Sequence, residues 1–547
     1  MAEKLIEINL FGACSVRSAH AGQFDIKGAK HKALFALLVT APFGRRTRDF
    51  LQQTLWGATN YDTGRQSLRR ALSDIKHVMG ESFGVLFSGN NIDLTIDLSR
   101  VRLTGHPGAG LFLEGLNVPE ALFQQWLAGI RANPGQLAGH FSLSNPMPDL
   151  PILPVVAVLP LRAVGSESSD GVLGDWLAEE ISRSLSRSRL LSVISHLSCR
   201  QLGAISVDMS KVRDLLRADY CVVGSIRRQR GALILDADLV DTRSGKIILT
   251  RQVEAAAAHF GQSSIEGIST IVKAIGRAIA DDSITHTRGL ALADIEDHRL
   301  VIAGVGLMHR STLRDFARAR ELLEEALRRA AFTPEIHAWL GKWYVLSVFN
   351  GWSTDVARET ASATDFTSRA LDLAPDDPFC LTIDGFAQNN LLRRLDIAEQ
   401  RYDMALNYNP NSALTWLLKG TLCAFRDEGQ QAVNAARHAR KLSPLDPFGY
   451  FYDTLSASAN LSLGSFEDAL ELADRSLAVN DRHLSTHRAR IVALYHLGRK
   501  KEAQAAAEQL LRRQPDFTVD KYLRGHPAAD FNFGKQAVAA MRGSGIP

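Results

Sequence analysis

The chain has 547 residues, 46% of them apolar and 22% charged, with a net charge of only +4. That composition excludes a disordered chain, and the length excludes a single core, so three or four globular domains are predicted. No apolar run nears the roughly 20 residues that span a bilayer, the five cysteines lack disulfide or zinc spacing, and the start MAEKLIEINL is too charged for a secretory signal. A cytoplasmic protein without membrane contact is expected.

The charge is unevenly placed. Residues 1–80 carry +6, more than the whole chain, and a local positive field of this kind attracts polyanions. Leu5–Val16 predicts a strand and Gln23–Ile26 a second. Ala33, Leu34, Leu37 and Leu38 form one face of a helix that starts at Lys30 and breaks at Pro42 and Gly44. A second helix spans Thr47–Leu55, with Phe50, Leu51 and Leu55 inward. After a turn over Gly57–Gly64, a third helix turns Leu68, Leu72 and Ile75 inward. Its other face carries Arg65, Gln66, Arg69, Arg70 and Lys76. Val85–Phe87, Gly89-Asn90-Asn91 and Ile92–Leu94 then predict a β-hairpin. Forked donors beside an amide, opposite a core stripe, suit base edges and phosphates. Any exposed helix can carry arginines; the order of strands, three helices and hairpin favours the nucleic-acid reading.

Phe11-Gly12, Val16-Arg17, Lys30–Leu38, Arg48–Leu51, Leu55-Trp56 and Arg65–Leu72 resemble the winged-helix domain of bacterial transcriptional regulators of the antibiotic-regulatory-protein type. That domain is similar to the DNA-binding half of response-regulator activators. The resemblance implies double-stranded promoter DNA as ligand. It puts Arg65, Gln66, Arg69, Arg70 and Lys76 on the recognition helix, Arg45, Arg46 and Arg48 on phosphates, and Asn90 at the wing tip. It also implies contact with RNA polymerase. One winged helix of this size reads too few bases to be specific, so a homodimer or larger homo-oligomer is expected on the promoter. Leu113–Leu116 and Phe123–Leu127 resemble the start of that family's helical activator domain. The pattern departs at the Pro/Ser/Asn-rich linker Pro134–Pro154.

Val155–Pro160 is a continuous apolar run, the signature of a strand buried on both faces. Helices near Gly174–Leu185 and Met209–Leu216 and strands at Leu190–Ile194, Tyr220–Ile226, Leu233–Val240 and Ile247–Arg251 complete a small α/β unit. Its Val156–Pro160 strand, the Gly224–Arg228 turn and the Asp241–Gly245 run resemble the N-terminal domain of the TolB translocation protein. Gly171, Gly174, Asp170 and Asp175 fit neither a phosphate loop nor a calcium loop, and His196 and Cys199 lack further ligands at metal spacing. No catalytic set, cofactor or metal is expected. Related layouts are headed by nucleotide cyclases, but no cyclase head is read here.

Prolines at Pro375, Pro410, Pro444 and Pro515 mark a period near 34, with paired amphipathic helices between them and Gly429, Gly464 and Gly498 at the turns. The period resembles that of tetratricopeptide repeats. About six repeats are expected, with a concave surface for a protein or peptide. Core packing is the first reading of the repeat aromatics. Trp352, in a loop, and Asn389, Asn390 and Arg393 are the candidates for partner contact.

The expected organisation is multidomain α+β: winged helix-turn-helix at 1–100, helical segment and linker at 101–150, α/β domain at 151–256 and helical connector at 257–296. An all-α repeat solenoid at 297–514 and a cap at 515–547 follow. The expected function is a non-enzymatic DNA-binding transcriptional regulator, controlled through its α/β and repeat domains by a partner or small-molecule effector. The alternative is a repeat scaffold whose winged helix docks on protein.

Overall fold

The computed structural model describes residues 5–19, 24–41, 44–104, 110–132, 153–164, 168–202, 208–229, 232–256, 260–444, 446 and 448–547. Most of the linker read at Pro134–Pro154, the breaker Pro42, and the pair Gly171–Asp170 in part lie outside the described residues or side chains.

The chain opens with β1 (Ile6–Asn9), β2 (Ser15–Ser18), β3 (Asp25–Ile26), α1 (Ala29–Val39), β4 (Arg45–Thr47), α2 (Arg48–Trp56) and α3 (Tyr61–Met79). It continues through α4 (Ser82–Leu86), β5 (Phe87–Gly89), β6 (Asp93–Ile96), β7 (Val101–Thr104) and α5 (Ala121–Ala132). One sheet has the order β3-β2-β1-β7 and a smaller one the order β4-β6-β5. The third helix starts inside the predicted turn, because the Asn60 side chain accepts the Thr63 N–H and caps it. Val85 and Leu86, predicted as strand, close the short α4 instead. The core of this unit runs past residue 100: Phe112, Phe123 and Leu127 are buried with Ile6, Phe35 and Leu55. The carboxylate of Glu120 ties the pieces, taking Lys30 Nζ at 2.8 Å and the Ala58 N–H at 3.0 Å.

A second unit comprises β8 (Val155–Val158), β9 (Arg162–Val164), α6 (Ser168–Leu185), β10 (Ser192–Val193), α7 (His196–Arg200) and α8 (Met209–Leu216). The long strands β11 (Tyr220–Gln229), β12 (Ala232–Asp241) and β13 (Ile247–Ala256) and the helix α9 (Phe260–His286) follow. The sheet order is β10-β8-β11-β12-β13, with β9 also on β11. Strand β8 pairs in parallel with β10 and β11, β9 pairs in parallel with β11, and β11–β13 form an antiparallel meander. Gly224, predicted in a turn, lies inside β11. A Cβ there would sit 2.1 Å from the Asp236 carbonyl oxygen, so glycine is needed for close strand approach rather than for a turn.

The remainder is an all-helical tetratricopeptide-like array. Its antiparallel pairs are α10 (Asp297–Met308) with α11 (Leu313–Arg329), α12 (Pro334–Phe349) with α13 (Val356–Leu373), and α14 (Pro378–Asn390) with α15 (Leu395–Tyr408). They continue as α16 (Ala413–Phe425) with α17 (Gly429–Leu442), α18 (Gly449–Leu463) with α19 (Phe466–Val479), and α20 (Leu484–His496) with α21 (Lys500–Arg513). The last helices are α22 (Val519–Gly525) and α23 (Asn532–Gly543), the latter packed on α20. The first helix of a pair is buried nearly all round, as in α12 and α14, whereas the second buries one stripe, as in α11 and α17.

The array closes on itself. Asn480, after α19, donates to the His309 carbonyl at 3.3 Å and to Ser311 Oγ at 3.1 Å, between α10 and α11. His309 stacks on Phe448 with centroids 3.8 Å apart, and its Nδ1 lies 2.8 Å from Tyr450 Oη. The α/β unit is fastened to the array by Arg299 of α10. Its guanidinium meets Glu296 and Asp282 at 2.6 Å and Asp241 at 3.2 Å.

Candidate docking seam between the N-terminal unit and the repeats

Strand β4 and helix α2 meet the second and third helix pairs. Strand β4 pairs only with β6 in its sheet, so its other edge needs partners. Asp372, in the last turn of α13, supplies one: its carboxylate accepts the Thr47 N–H at 2.5 Å and Arg46 Nη1 at 2.9 Å. Arg46 also donates from Nε to the Leu37 carbonyl at 3.4 Å, and its guanidinium lies 4.7 Å from the Phe50 ring centre. Arg46 is 8% exposed and Asp372 1%. Burial pushes the Asp372 carboxyl up to about 6, against the pull of Arg46 and the Thr47 N–H. Thr47 completes the corner by capping α2 through Oγ1, which accepts the Phe50 N–H at 3.2 Å.

A second junction lies in the first turn of α2, at Asp49. Arg401 of α15 donates to Asp49 at 2.9 Å and to Asp384 of α14 at 2.7 Å. Asp384 also accepts from Thr367 Oγ1 at 2.8 Å, and Asp49 from Tyr61 Oη at 2.9 Å. Arg394 covers the Tyr61 ring at 4.2 Å. Burial of Arg401 opposes its charge, but the carboxylates of Asp384 and Asp49 hold its pKa above the usual arginine value. Removing either partner of such a pair is costly, because the other charge is left uncompensated.

The predicted site residues scatter over different surroundings. Arg65, Gln66, Arg69, Arg70 and Lys76 are exposed on α3, and among the described residues the four cations are not ion-paired. Arg69 and Lys76 border an open hollow of about 420 Å³ between α3 and the β5–β6 hairpin, with Arg48, Phe83 and Ser88. Arg48 donates to the Asn90 carbonyl at 2.7 Å, and burial pulls its pKa down, with Arg69 and Arg65 adding to the effect. Arg45 reaches Thr95 Oγ1 at 3.3 Å. The Asn90 side chain turns back to accept the Ile92 and Asp93 N–H groups at 2.7 and 3.1 Å, which shapes the hairpin.

Three expectations for the repeats are corrected by packing. Asn389 and Asn390 are 1% and 5% exposed, because α14 is covered on both faces. They line no open surface. Trp352 closes its own loop instead of waiting for a partner: it packs edge-on against Phe316 at 4.8 Å. Arg393 is exposed, in a left-handed turn with φ 53°.

Sequence reasoning missed Asp49, Asp372, Asp384 and Arg401. A signal existed for Arg401, which shares the buried spacing of Ala398, Tyr402 and Ala405. A charge in a core stripe predicts a buried partner. It does not say from which domain the partner comes.

Among the described residues no cluster of three or more His, Cys, Asp or Glu is arranged to hold a metal, and no helix is long and apolar enough to cross a membrane.

No family model matches the chain. It is 24% identical over 259 residues to a protein of Rhizobium meliloti (strain 1021) provisionally named adenylate cyclase 3, covering 47% of this chain and 43% of that protein. The chain thus spans less than half the length of that relative. It is similar to the solved structure of a thermophilic TPR protein in Thermus thermophilus, at 20% identity over 36% of this chain and 97% of that one, TM-score 0.29. A likeness to Pseudomonas aeruginosa PilF has 15% identity over 45% of this chain and 97% of that one, TM-score 0.28.

The promoter-reading regulator expected from the sequence is corrected by these findings. Neither a response-regulator or antibiotic-regulatory family nor a TolB-type module is matched. Arg46, expected on a DNA phosphate, is buried in a seam between two units of this chain and paired with Asp372. With the regulator go the expected promoter DNA and RNA polymerase contacts.

Proposed function

We propose that the protein is a non-catalytic tetratricopeptide scaffold, and that its N-terminal unit keeps a winged-helix order of elements but uses it to dock on protein. The observation that carries this reading is the buried seam in which Asp372 takes both Arg46 and the Thr47 N–H. The edge strand β4 and the start of α2 are here satisfied by a repeat side chain, which leaves Arg46 and the Thr47 N–H closed to a phosphate. The exposed basic face of α3 then serves a second, acidic protein or peptide surface, with charge steering the encounter. The central α/β unit, whose order of elements resembles a TolB-type domain, acts as a spacer clamped at Arg299.

The test is made on the full chain. Arg46→Asp reverses one side of the seam, and adding Asp372→Arg restores opposite charges. The single variant is expected to enlarge the radius of gyration in small-angle scattering and to speed amide exchange across 45–61; the double variant is expected to recover part of both. Unchanged scattering and exchange in Arg46→Asp would refute docking through this seam.

A further inference from the structure

Outside the seam, a partly open cavity of about 60 Å³ lies between α16, α18, α20 and the final helices α22 and α23. Arg488 of α20 borders it and is 8% exposed. Its guanidinium donates to Ser485 Oγ at 2.7 Å and lies 5.7 to 5.9 Å from the ring centres of Phe349, Phe517 and Tyr522. Among the described residues no carboxylate pairs with it. The other deeply buried arginines differ: Arg46, Arg299 and Arg401 each meet a carboxylate at 2.9 Å or less.

We propose that this cavity binds a small organic monocarboxylate, with the carboxylate on Arg488 and a short apolar tail against Phe425, Leu461 and Val492. A buried guanidinium with no carboxylate partner among the described residues, on a mainly apolar cavity wall, is a costly arrangement, and a planar carboxylate matches its fork. The space is several times the roughly 10–15 Å³ that admits one water, so it suits a ligand of a few heavy atoms and excludes a peptide chain. Ser485 Oγ accepts from Arg488 and keeps its own O–H to donate. His526 Nδ1 accepts the Ala528 N–H at 3.1 Å, so the neutral ring carries its proton on Nε2. Burial and the charges of Arg488 and Arg393 hold that ring neutral, down to about 3. With one full positive charge at the wall, a monoanion is preferred over phosphate. Lys342 is also buried, among the described residues without a carboxylate bond, and packs on His309, Trp339 and Phe451.

Butyrate, its neutral isostere butyramide and inorganic phosphate are compared on the full-length protein by calorimetric titration and thermal melting. Butyrate is expected to bind and raise Tm, with butyramide and phosphate at least tenfold weaker. Arg488→Met is expected to abolish the butyrate response while circular dichroism and elution volume stay unchanged. Ala537→Phe, which fills the space and keeps Arg488, is expected to do the same. If either variant fails to fold, amide exchange of the unmutated chain decides: butyrate must slow exchange in 485–496 and 519–541 and leave 45–61 untouched. Equal responses to butyrate and butyramide, a response to phosphate alone, protection elsewhere, or an unaltered response in folded Arg488→Met would each overturn the proposal.

Discussion

Two arginine-bearing surfaces of the N-terminal unit face opposite fates. On α3, Arg65, Arg69 and Arg70 stand in solvent. On β4, Arg46 is enclosed, held between Leu37, Phe50 and Asp372. Both look alike as sequence, a basic residue beside a short apolar run. The difference lies in what has been brought against them: α13 supplies a carboxylate to one surface, and among the described residues no carboxylate pairs with the arginines of the other. A charge in solvent is cheap to change, whereas a charge in a seam is tied to the energy of the whole interface.

The largest break in that comparison is expected from Arg401→Met. It strands the buried carboxylate of Asp384 and the half-buried one of Asp49, and the loss of one partner of such a network costs about 3–5 kcal/mol. Denaturant unfolding should show the lower midpoint, and the rise in scattering radius should accompany it. A midpoint equal to the unmutated protein's would mean that solvent already reaches the seam.

Acid should act on the repeats next. Burial holds His337 down to about 4 and His483 and His526 to about 3. The unfolded chain protonates these rings near pH 6.5, so it binds more protons than the folded one below that pH. Stability therefore falls as pH drops from about 6.5 to 4, by on the order of 3 kcal/mol for each ring. Asp372 has the opposite sign: its folded pKa of about 6 lies above the usual aspartate value, so its contribution favours folding at low pH and is lost as pH rises through 6. Tryptophan-detected unfolding at pH 7.5, 6 and 5 should show the histidine effect dominating. A rise in stability toward pH 5 would mean the rings are not buried.

Asp372→Asn is expected to cost less, about 1–3 kcal/mol, since the amide oxygen can still accept one bond but Arg46 loses its counter-charge. Amide exchange of Thr47 should accelerate most. At the small end, Arg65→Ala, Arg69→Ala and Arg70→Ala should each shift stability by less than about 0.5 kcal/mol. Their effect should appear instead as weaker, less salt-dependent capture of an acidic protein partner. If Arg69→Ala destabilised the fold as much as Asp372→Asn, the two surfaces would not differ in the way described.

The repeat array was the most legible part of the chain, because each pair buries its own stripe and writes the spacing locally. Proline at 375, 410, 444 and 515 and the stripe of Ala432, Val433, Ala436 and Ala439 are read without knowing what else is near. The N-terminal and central strands were readable as elements, but short-range rules misplaced their edges: Asn60 started α3 early, and Gly224 served a close strand contact. The candidate site was read from charge and resemblance alone, and both spoke only of residues near in sequence.

What the sequence determined by itself is therefore periodic and local: paired helices, amphipathic stripes, and a surplus of positive charge in the first 80 residues. Tertiary structure decided which charges are buried and with whom. Arg46 and Asp372 are 326 positions apart, and Asp49 and Arg401 are 352. Nothing in either segment's periodicity encodes the other. The pairing arises only when the array curves to present α13 and α15 to one edge of a small sheet, and the energy of a charge depends on that enclosure rather than on the residue that bears it.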